Sequence, residues 1–300
     1  MSLFGGIEAG GTKFVCAVGT SPEHIRATVR IPTTTPTETL ERVVAFFARY
    51  PEQLDALGIG AFGPLDLDPR SPTHGHITST PKSGWRQCDI AGTLRRALGV
   101  PIAIDTDVNV AALGEHRWGA AQDVEDVLYL TVGTGIGGGV LVRGEPMHGL
   151  LHPEIGHIPV THDRHADPFP GICPYHGDCL EGLASGPAVH ARWGQPGEAL
   201  PDDHPAWALE AQYLALALVT CIYTLSSQRI ILGGGVMQRT RLFPLIRSRV
   251  RALLGGYLDV PEIHARIEDY VVPPALGGNA GVLGALALAQ EKAGSEANAR

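Results

Sequence analysis

The stretch LFGGIEAGGTKFVCAVG (Leu3–Gly19) decides the fold of this 300-residue chain. Two apolar runs, Leu3–Ala9 and Phe14–Gly19, flank the four residues Gly10–Lys13 (GGTK), which predicts two β-strands joined by a glycine turn. Such a turn presents backbone N–H groups and the Thr12 hydroxyl to an anion such as phosphate. A Walker loop is excluded because a strand, and not a helix, follows the glycines. Taken alone, the turn is equally consistent with an ordinary hairpin.

A second strand–glycine–strand arrangement lies in the middle of the chain. Asp126–Val132 is predicted as a strand, Gly133–Gly139 (GTGIGGG) as the turn, and Gly139–Arg143 as the returning strand. The first, third and sixth residues of this turn also match Gly-x-Gly-x-x-Gly, which suggests a nicotinamide-dependent oxidoreductase. That fingerprint must open a helix, so the strand that follows argues against it. Two Gly-Thr hairpins facing each other instead predict a two-sided phosphate clamp.

Two further stretches place polar or glycine residues after a predicted strand. Asp105–Asn109 (DTDVN) follows the strand Val100–Ile104 and opens a helix through Trp118. One carboxylate would serve as a helix cap. Two, at the edge where α/β folds bind ligands, favour a functional Asp107 and an Asp105 that caps the helix or supports the site. Gly233–Met237 (GGGVM) follows the strand Arg229–Leu232 and is predicted to open a helix through Leu254, which suits a nucleotide lying close to the backbone.

The irregular segment Leu150–Glu181 holds a candidate metal quartet and two carboxylates. His157, Cys173, His176 and Cys179 include the spacing Cys-x2-His-x2-Cys, and two thiolates with two imidazoles form a closed, structural zinc set. Glu154 and Glu181 lie in otherwise apolar or glycine-rich surroundings.

Other elements are predicted from apolar spacing and capping residues. They are a helix over Pro36–Tyr50 with Thr37 as its N-cap, a long helix over Pro205–Ser227, and a final helix ending near Gln290. The tail Lys292–Arg300 is polar and is expected to fray.

Composition limits the class of protein. Apolar residues make up 44% of the chain and charged residues 18%, as in ordinary globular proteins. A net charge of −8 argues against nucleic acid or an anionic membrane as partner. No signal peptide is recognisable, and the apolar run Tyr213–Leu225 is too short to span a bilayer. Five scattered cysteines favour a reducing cytoplasm over a disulfide framework.

Four motifs together resemble a known family. They are GIEAGGTK (Gly6–Lys13), DTDVNVAALGE (Asp105–Glu115), PEIGHIPV (Pro153–Val160) and CPYHGDCLEGLASGPA (Cys173–Ala188). In this order they resemble the sugar-kinase, hexokinase and actin-like ATPase superfamily, and within it the ROK branch of bacterial sugar kinases and repressors. The Cys-x2-His-x2-Cys form and TPKSGW (Thr80–Trp85) look like its fructokinase subgroup. Glu8 and Thr106 depart from the Asp and Asn usual in relatives.

The resemblance implies an α/β, two-lobed actin-like ATPase (ribonuclease H-like) fold with mixed sheets and a cleft between the lobes. It places residues 1–118 and about 279–300 in the N-terminal lobe. Residues 119–278 form the other lobe, which carries a zinc-binding loop at 153–181. The implied activity is ATP-dependent phosphorylation of a hexose. The resemblance favours D-fructose as the substrate and fructose 6-phosphate as the product, with Mg²⁺ bound to the phosphates.

The resemblance also implies roles for individual residues. Asp107 is the general base that takes the proton of the attacking sugar hydroxyl. The sugar-binding residues are Glu154, His157, Glu181, Asn109 and Gly63. The ATP-binding residues are Gly10, Gly11, Thr12, Lys13, Thr134, Gly135, Gly182, Gly233, Gly234, Gly235, Val236 and Met237. Zinc on His157, Cys173, His176 and Cys179 orders the sugar loop and takes no part in the chemistry.

Several alternatives stay open. The substrate could instead be glucose, mannose or an N-acetylated hexosamine. A non-catalytic sugar-binding regulator is an alternative of a different class. Two features argue against it: the presence of Asp107, and a first hairpin that begins at residue 3, whereas ROK repressors carry a DNA-binding domain ahead of that hairpin. The resemblance further implies a homodimer.

Overall fold

The computed structural model describes residues 2–50 and 54–298 of the chain. The chain forms two compact units. Unit 1 consists of Met1–Asp123, Gly144–His152 and Ala275–Arg300, and unit 2 consists of Val124–Arg143 and Pro153–Pro274. The lobe boundaries at residues 118 and 279 stay a prediction, and the two units have the bounds given above.

The strands and helices have the following bounds. The strands are β1 (Phe4–Ala9), β2 (Lys13–Gly19), β3 (Ile25–Pro32), β4 (Ala56–Ala61), β5 (His76–Ile77), β6 (Cys88–Asp89), β7 (Ile102–Thr106), β8 (Val127–Val132), β9 (Ile136–Val142), β10 (Glu145–Pro146), β11 (Arg229–Gly233) and β12 (Val271–Val272). The α-helices are α1 (Pro36–Phe47), α2 (Ile90–Leu98), α3 (Asp107–Trp118), α4 (Leu180–Ala184), α5 (Gly186–Trp193), α6 (Ala206–Leu225), α7 (Leu242–Leu254), α8 (Pro261–His264), α9 (Ile267–Tyr270) and α10 (Ala280–Asn298). Short 3₁₀ turns occupy Ile155–His157, Gly197–Ala199, Val236–Gln238 and Gly277–Asn279.

The sheet of unit 1 brings three predicted site segments to one edge. Its strand order is β3-β2-β1-β4-β7. β1 and β2 form the predicted antiparallel hairpin, whereas β1, β4 and β7 are parallel, with Ala9 opposite Ala61 and Ala61 opposite Thr106. Carboxyl ends of parallel strands meet at the same edge. The segments that follow β1, β4 and β7 therefore share it, and they carry the glycine turn, Gly63 and Asp107.

Two predicted helix ends in unit 1 are wrong. The N-cap of α1 is Thr35 and not Thr37, and its side chain accepts a hydrogen bond from the Glu38 amide at 3.3 Å. Pro36 is therefore the first helical residue, where its fixed φ and missing N–H are tolerated. The tail also does not fray at Lys292, because α10 continues to Asn298 and Lys292 pairs with Glu296 at 3.3 Å. The last two residues of the predicted tail, 299–300, lie outside the described residues. Helix α2 has no counterpart among the predicted elements.

Helix α10 returns to unit 1 and packs on β1, β4 and α3. Small residues make this close approach possible, because a Cβ added to Gly284 would lie 1.5 Å from the Val110 carbonyl oxygen. The core of the unit contains large side chains such as Phe14, Phe47 and Trp85. The chain's last helix thus covers the strands that carry the first glycine turn.

The sheet of unit 2 repeats the arrangement. β9 and β8 form the second predicted hairpin, with Val132 opposite Ile136, and β11 lies parallel to β8 with β12 beyond it. The glycine segments after β8 and β11 therefore meet at one edge. In the described residues, α6 is long and apolar enough to span a membrane by length and composition, but half of that window is buried against the core, as in the core helix of a globular protein.

Helix α6 carries a buried carboxyl group. Glu210 is 1% exposed, and neither of its carboxyl oxygens has a hydrogen-bond partner among the residues that the structure describes. Burial raises the pKa of Glu210 well above its ordinary value, against the opposing charge of Arg192. The folded state therefore favours the protonated, neutral side chain.

This burial predicts a pH dependence of stability. An unfolded glutamate has a pKa of about 4.3, so above that pH the unfolded chain releases a proton that the folded protein retains. Stability is then lost as the pH rises toward the higher folded-state pKa. Glu210→Gln mimics the protonated form, so its Tm relative to wild type should be similar at about pH 4 and higher at about pH 8. The exposed Glu198→Gln is the control. A Tm difference that does not change with pH would contradict this prediction.

Candidate phosphate, sugar and metal sites

The first glycine turn is held rigidly at the edge of the unit 1 sheet. The Gly10 amide donates to the Lys13 carbonyl at 3.0 Å, and the hydroxyl of Thr33, the residue after β3, donates to the Gly10 carbonyl at 2.7 Å. Thr12 and Lys13 are exposed. The turn is thus fixed by its carbonyl groups, and its exposed hydroxyl and ammonium groups face solvent, as an anion-binding turn requires.

Asp107 is the first residue of α3 and follows β7 at the same edge. The helix is capped by Thr106, whose hydroxyl accepts from the Asn109 amide at 3.1 Å. The Asp107 carboxylate accepts from the Val108 amide at 2.9 Å. Because Thr106 caps the helix, the Asp107 carboxylate is not needed for that purpose.

Asp105 and Asn109 form a buried support beneath this turn. Asp105 accepts from the Thr106 amide at 2.7 Å and from the Asn109 side-chain amide at 2.8 Å. Asn109 is fully buried. These contacts match the supporting role predicted for Asp105. Direct sugar binding by Asn109 remains a prediction.

Gly63 lies next to a histidine that the sequence reasoning did not single out. The Leu65 amide donates to His152 Nε2 at 3.2 Å, and a Cβ added to Gly63 would be 3.5 Å from the same ring. His152 is 8% exposed. Its position directly before the PEIGHIPV motif was the available signal.

Glu8, the departure noted in the first motif, faces the start of α10. Its carboxyl group accepts from the Val282 amide, and a Cβ added to Gly281 would be 2.7 Å from its Cδ. Burial raises the pKa of Glu8, against the opposing charges of Lys13 and Arg30. Glu8 therefore joins the glycine turn to the last helix, and one of its oxygens, Oε2, is buried without a hydrogen bond among the described residues.

Trp85 explains the TPKSGW motif. The fully buried ring lies 5.4 Å from Phe14 and 5.5 Å from Phe62, centroid to centroid, and its N–H donates to the Thr34 carbonyl at 2.8 Å. The motif is thus anchored in the core of unit 1 next to β2, the second strand of the glycine hairpin.

The second glycine turn, in unit 2, carries the exposed Thr134. The Gly133 amide donates to the Gly135 carbonyl at 2.9 Å, and the Gly133 carbonyl accepts from the Gly186 amide at 2.8 Å. Glu181 Oε2 accepts from the Ile136 amide at 2.9 Å, and a Cβ added to Gly135 would lie 2.7 Å from that oxygen. A predicted sugar carboxylate thus abuts a predicted phosphate turn.

The third glycine segment lies against the second. A Cβ added to Gly133 would be 3.8 Å from the Gly235 amide nitrogen. Gly234 has φ +91° and is packed against the Val132 backbone, so only glycine fits there. The predicted helix does not begin directly after these glycines. Val236 and Met237 belong to a short 3₁₀ turn, and α7 begins at Leu242.

Glu154 and Glu181 interact electrostatically. Although Glu154 is exposed, its carboxyl group is sufficiently surrounded by protein for burial to raise its pKa, and the charge of Glu181 raises it further. Two carboxylates that repel each other in this way suit a ligand with several hydroxyl donors, since each O–H then stabilises negative charge.

The predicted metal quartet converges. One ligand atom from each of His157, Cys173, His176 and Cys179 lies within 4.8 Å of all the others. The Sγ to Nδ1 distances are 3.6 to 3.8 Å. Bond lengths of about 2.3 Å to sulfur and 2.0–2.1 Å to nitrogen put the edge of a zinc tetrahedron at about 3.6 Å. The donor set therefore fits a closed tetrahedral zinc site.

The Cys173–Cys179 loop, which we call the knuckle, is packed against α4 and lies near a buried polar cluster. A Cβ added to Gly182 would be 1.9 Å from the Gly177 carbonyl oxygen and 3.1 Å from Cys173 Cβ, which accounts for a glycine at this position. Asp167, in the loop before Cys173, accepts from the Tyr213 hydroxyl at 2.5 Å and pairs with Arg192 at 3.2 Å. Sequence reasoning missed this cluster because its members are scattered along the chain.

Similarity to known proteins extends over almost the whole chain. The pattern that defines the ROK family matches residues 4–292. The fructokinase of Pediococcus pentosaceus is 45% identical over 288 residues, which cover 96% of this chain and 98% of the relative. The fructokinase of Zymomonas mobilis subsp. mobilis is 45% identical over 297 residues, 96% of each chain. Among solved structures, a ROK family glucokinase from Streptomyces griseus in complex with glucose and AMPPNP has 26% sequence identity to this chain. The two structures superpose with a TM-score of 0.74, over 97% of this chain and 100% of that chain.

The mixed sheets with glycine turns at their edges place the chain in the class of α/β proteins with the actin-like ATPase fold, as predicted. Within that class the chain belongs to the ROK family. The resemblance read from the four motifs is therefore confirmed.

Proposed function

We propose that this chain is an ATP-dependent hexose kinase that converts D-fructose to fructose 6-phosphate, a phosphotransferase with an alcohol group as acceptor. The observation that carries the proposal is the placement of the Gly10–Lys13 turn and Asp107 at one sheet edge, after the parallel strands β1 and β7 that lie on either side of β4. Relatives named fructokinase, at 45% identity over nearly the whole chain, favour fructose as the sugar.

Asp107 acts as the general base. Its main contribution is position, because a general base works only within hydrogen-bond reach of the proton that it takes. The sugar O6–H gives its proton to Asp107 while the oxygen forms a bond to the γ-phosphorus of ATP. The bond between that phosphorus and the β–γ bridging oxygen breaks, and ADP leaves. Thr106 and Asp105 fix the helix start from which Asp107 acts.

Mg·ATP is the second substrate. The turns at Gly10–Lys13 and Gly133–Gly135 bind its phosphates through backbone N–H groups, with Thr12 and Thr134 nearest the transferred group. Gly233–Met237 and Gly182 line the adenosine side. In phosphoryl transfer the protein contributes mainly position and charge stabilisation, and the metal neutralises charge on the phosphates. Glu8, on β1 directly before the first turn, is the residue that would hold Mg²⁺ indirectly, through water.

Glu154, His157, Glu181 and Gly63 bind the sugar, supported by Asn109. The carboxylates each accept several O–H groups, which matters because a buried hydroxyl without a partner costs about 1–3 kcal/mol. Zinc on His157, Cys173, His176 and Cys179 is structural. Since His157 directs Nδ1 at the two sulfur atoms, its Nε2–H is the nitrogen that donates to a sugar oxygen.

A substrate panel tests the proposal. With Mg·ATP, release of ADP should give the highest kcat/KM for D-fructose among fructose, glucose, mannose and N-acetylated hexosamines, and ³¹P NMR should place the phosphate on the C6 oxygen. A higher kcat/KM for another hexose would replace fructose as the substrate. No ADP release with any sugar would favour the sugar-binding regulator. We also propose that the enzyme is a homodimer and is located in the cytoplasm. Light scattering of the untagged protein tests the homodimer.

A further inference from the structure

The segment Gly144–His152 of unit 1 is fastened at two histidines four residues apart. His148 Nε2 lies 2.9 Å from Asp105 Oδ2. His152 Nε2 accepts the Leu65 amide hydrogen at 3.2 Å. The segment also approaches α3, since a Cβ added to Gly144 would be 3.3 Å from the His116 ring. It therefore connects the segment after β4, which carries Gly63, with the end of β7, which leads into Asp107.

The two histidines use Nε2 in opposite ways, His152 as a hydrogen-bond acceptor and His148 as a donor. His152 accepts a hydrogen bond at Nε2, so that nitrogen carries no proton. His148 donates from Nε2 to a carboxylate, and this hydrogen bond raises its pKa, with burial opposing and the charge of Asp105 adding to the rise. His148 is 44% exposed at its side chain, whereas Asp105 is 4% exposed. The N–H of His148 therefore remains accessible to water while it donates to a buried carboxylate.

Asp105 transmits this contact to the catalytic turn. Its Oδ1 accepts from the Thr106 amide and from the Asn109 side chain, so Oδ2 is the oxygen left for His148. Thr106 is the N-cap of α3, and Asp107 is the next residue. Rotation of the Asp105 carboxylate would disturb its contact with Thr106, directly before Asp107, and its contact with Asn109, two residues after Asp107.

We propose that His148 is a positioning residue of the kinase reaction, which holds the Asp105 carboxylate and thereby the first turn of α3 in the orientation from which Asp107 works. This inference rests on the proposed function, in which Asp107 is the base. The segment that carries His148 leads directly into Pro153 and Glu154. The same nine residues thus connect, along the chain, the support of the base with the sugar-binding motif.

Kinetics of two substitutions test the proposal. His148→Ala should lower kcat with fructose about 10- to 100-fold, the cost expected of a misplaced catalytic group, while the KM for ATP and the Tm stay near wild type. His148→Gln keeps an N–H donor of similar reach and should recover most of the lost kcat. The matched control is His264→Ala, because His264 is 46% exposed and pairs with Asp259 at 3.4 Å in unit 2; it should leave kcat unchanged.

Each outcome decides the question. A His148→Ala enzyme with kcat within about twofold of wild type, a factor worth well under 1 kcal/mol, would overturn the proposal. So would a parallel loss of Tm and of ATP affinity, which marks a general structural role. If His148→Ala does not fold, His148→Gln is compared in the Asp105→Asn background, where the charge is gone and a further loss of kcat would count against the proposal. Lack of activity in the wild-type protein would instead overturn the proposed function.

Discussion

Asp107→Asn is expected to lower kcat for fructose phosphorylation by about 10³-fold, within the range for loss of a general acid or base. Asparagine has nearly the same shape, and α3 keeps its cap because Thr106 supplies it. The KM for ATP and the Tm should therefore change little. The amide cannot accept the proton of the sugar hydroxyl, so the loss falls on the chemical step. Steady-state ADP release and nucleotide titration of the variant measure the two effects separately.

Asp89→Asn is the matched control for this substitution. Asp89 is another aspartate at the start of a unit 1 helix, where its side chain accepts from the Gly92 amide at 2.7 Å and caps α2. The variant should keep wild-type kcat. Near-wild-type turnover in Asp107→Asn would remove Asp107 from the role of base, and an equal loss in both variants would point to helix stability as the cause.

Removal of the metal quartet is expected to have the largest effect on stability. Elemental analysis of the untagged protein should find about one zinc per chain, and Cys179→Ser should abolish it, because a hydroxyl does not replace a thiolate in a closed site. The Tm should fall by about 10 °C or more, since each kcal/mol lost is worth about 2–4 °C in a protein of this size. Binding of a structural metal contributes directly to folding free energy.

Cys88→Ser is the control for the metal prediction. Cys88 is a half-buried thiol outside the quartet, so zinc content should be retained. Protein that contains no zinc and keeps its Tm and activity after treatment with a chelator would show that the quartet is fortuitous. A chelator effect that is equal in wild type and Cys179→Ser would assign the loss to another metal.

The sequence was most informative where function depends on local geometry. The GGTK turn, the Cys-x2-His-x2-Cys knuckle and the pair of hairpins are set by residues close together in the chain, so their spacing predicted them. Hairpin register follows from the turn and from alternate burial, and the observed pairs Ala9–Phe14 and Val132–Ile136 agree with it.

Local signals failed where two competing patterns were both plausible. Thr35 and Thr37 flank the same proline, and the cap falls on Thr35 because Pro36 is favoured at the first helical position. The glycines after β11 were expected to open a helix. Instead these glycines pack against the turn after β8, and Gly234 has a φ of +91°. A short 3₁₀ turn, Val236–Gln238, follows them.

By itself, the sequence determined the glycine hairpins, the Cys-x2-His-x2-Cys spacing and the placement of Asp107 at the start of a helix, because each depends on residues within about one turn or loop. Only the tertiary structure brought Asp105 to His148, Leu65 to His152 and Gly135 to Glu181. These pairs lie dozens of residues apart in the chain. Their contacts follow from parallel strand order and from close helix packing, which no local pattern specifies.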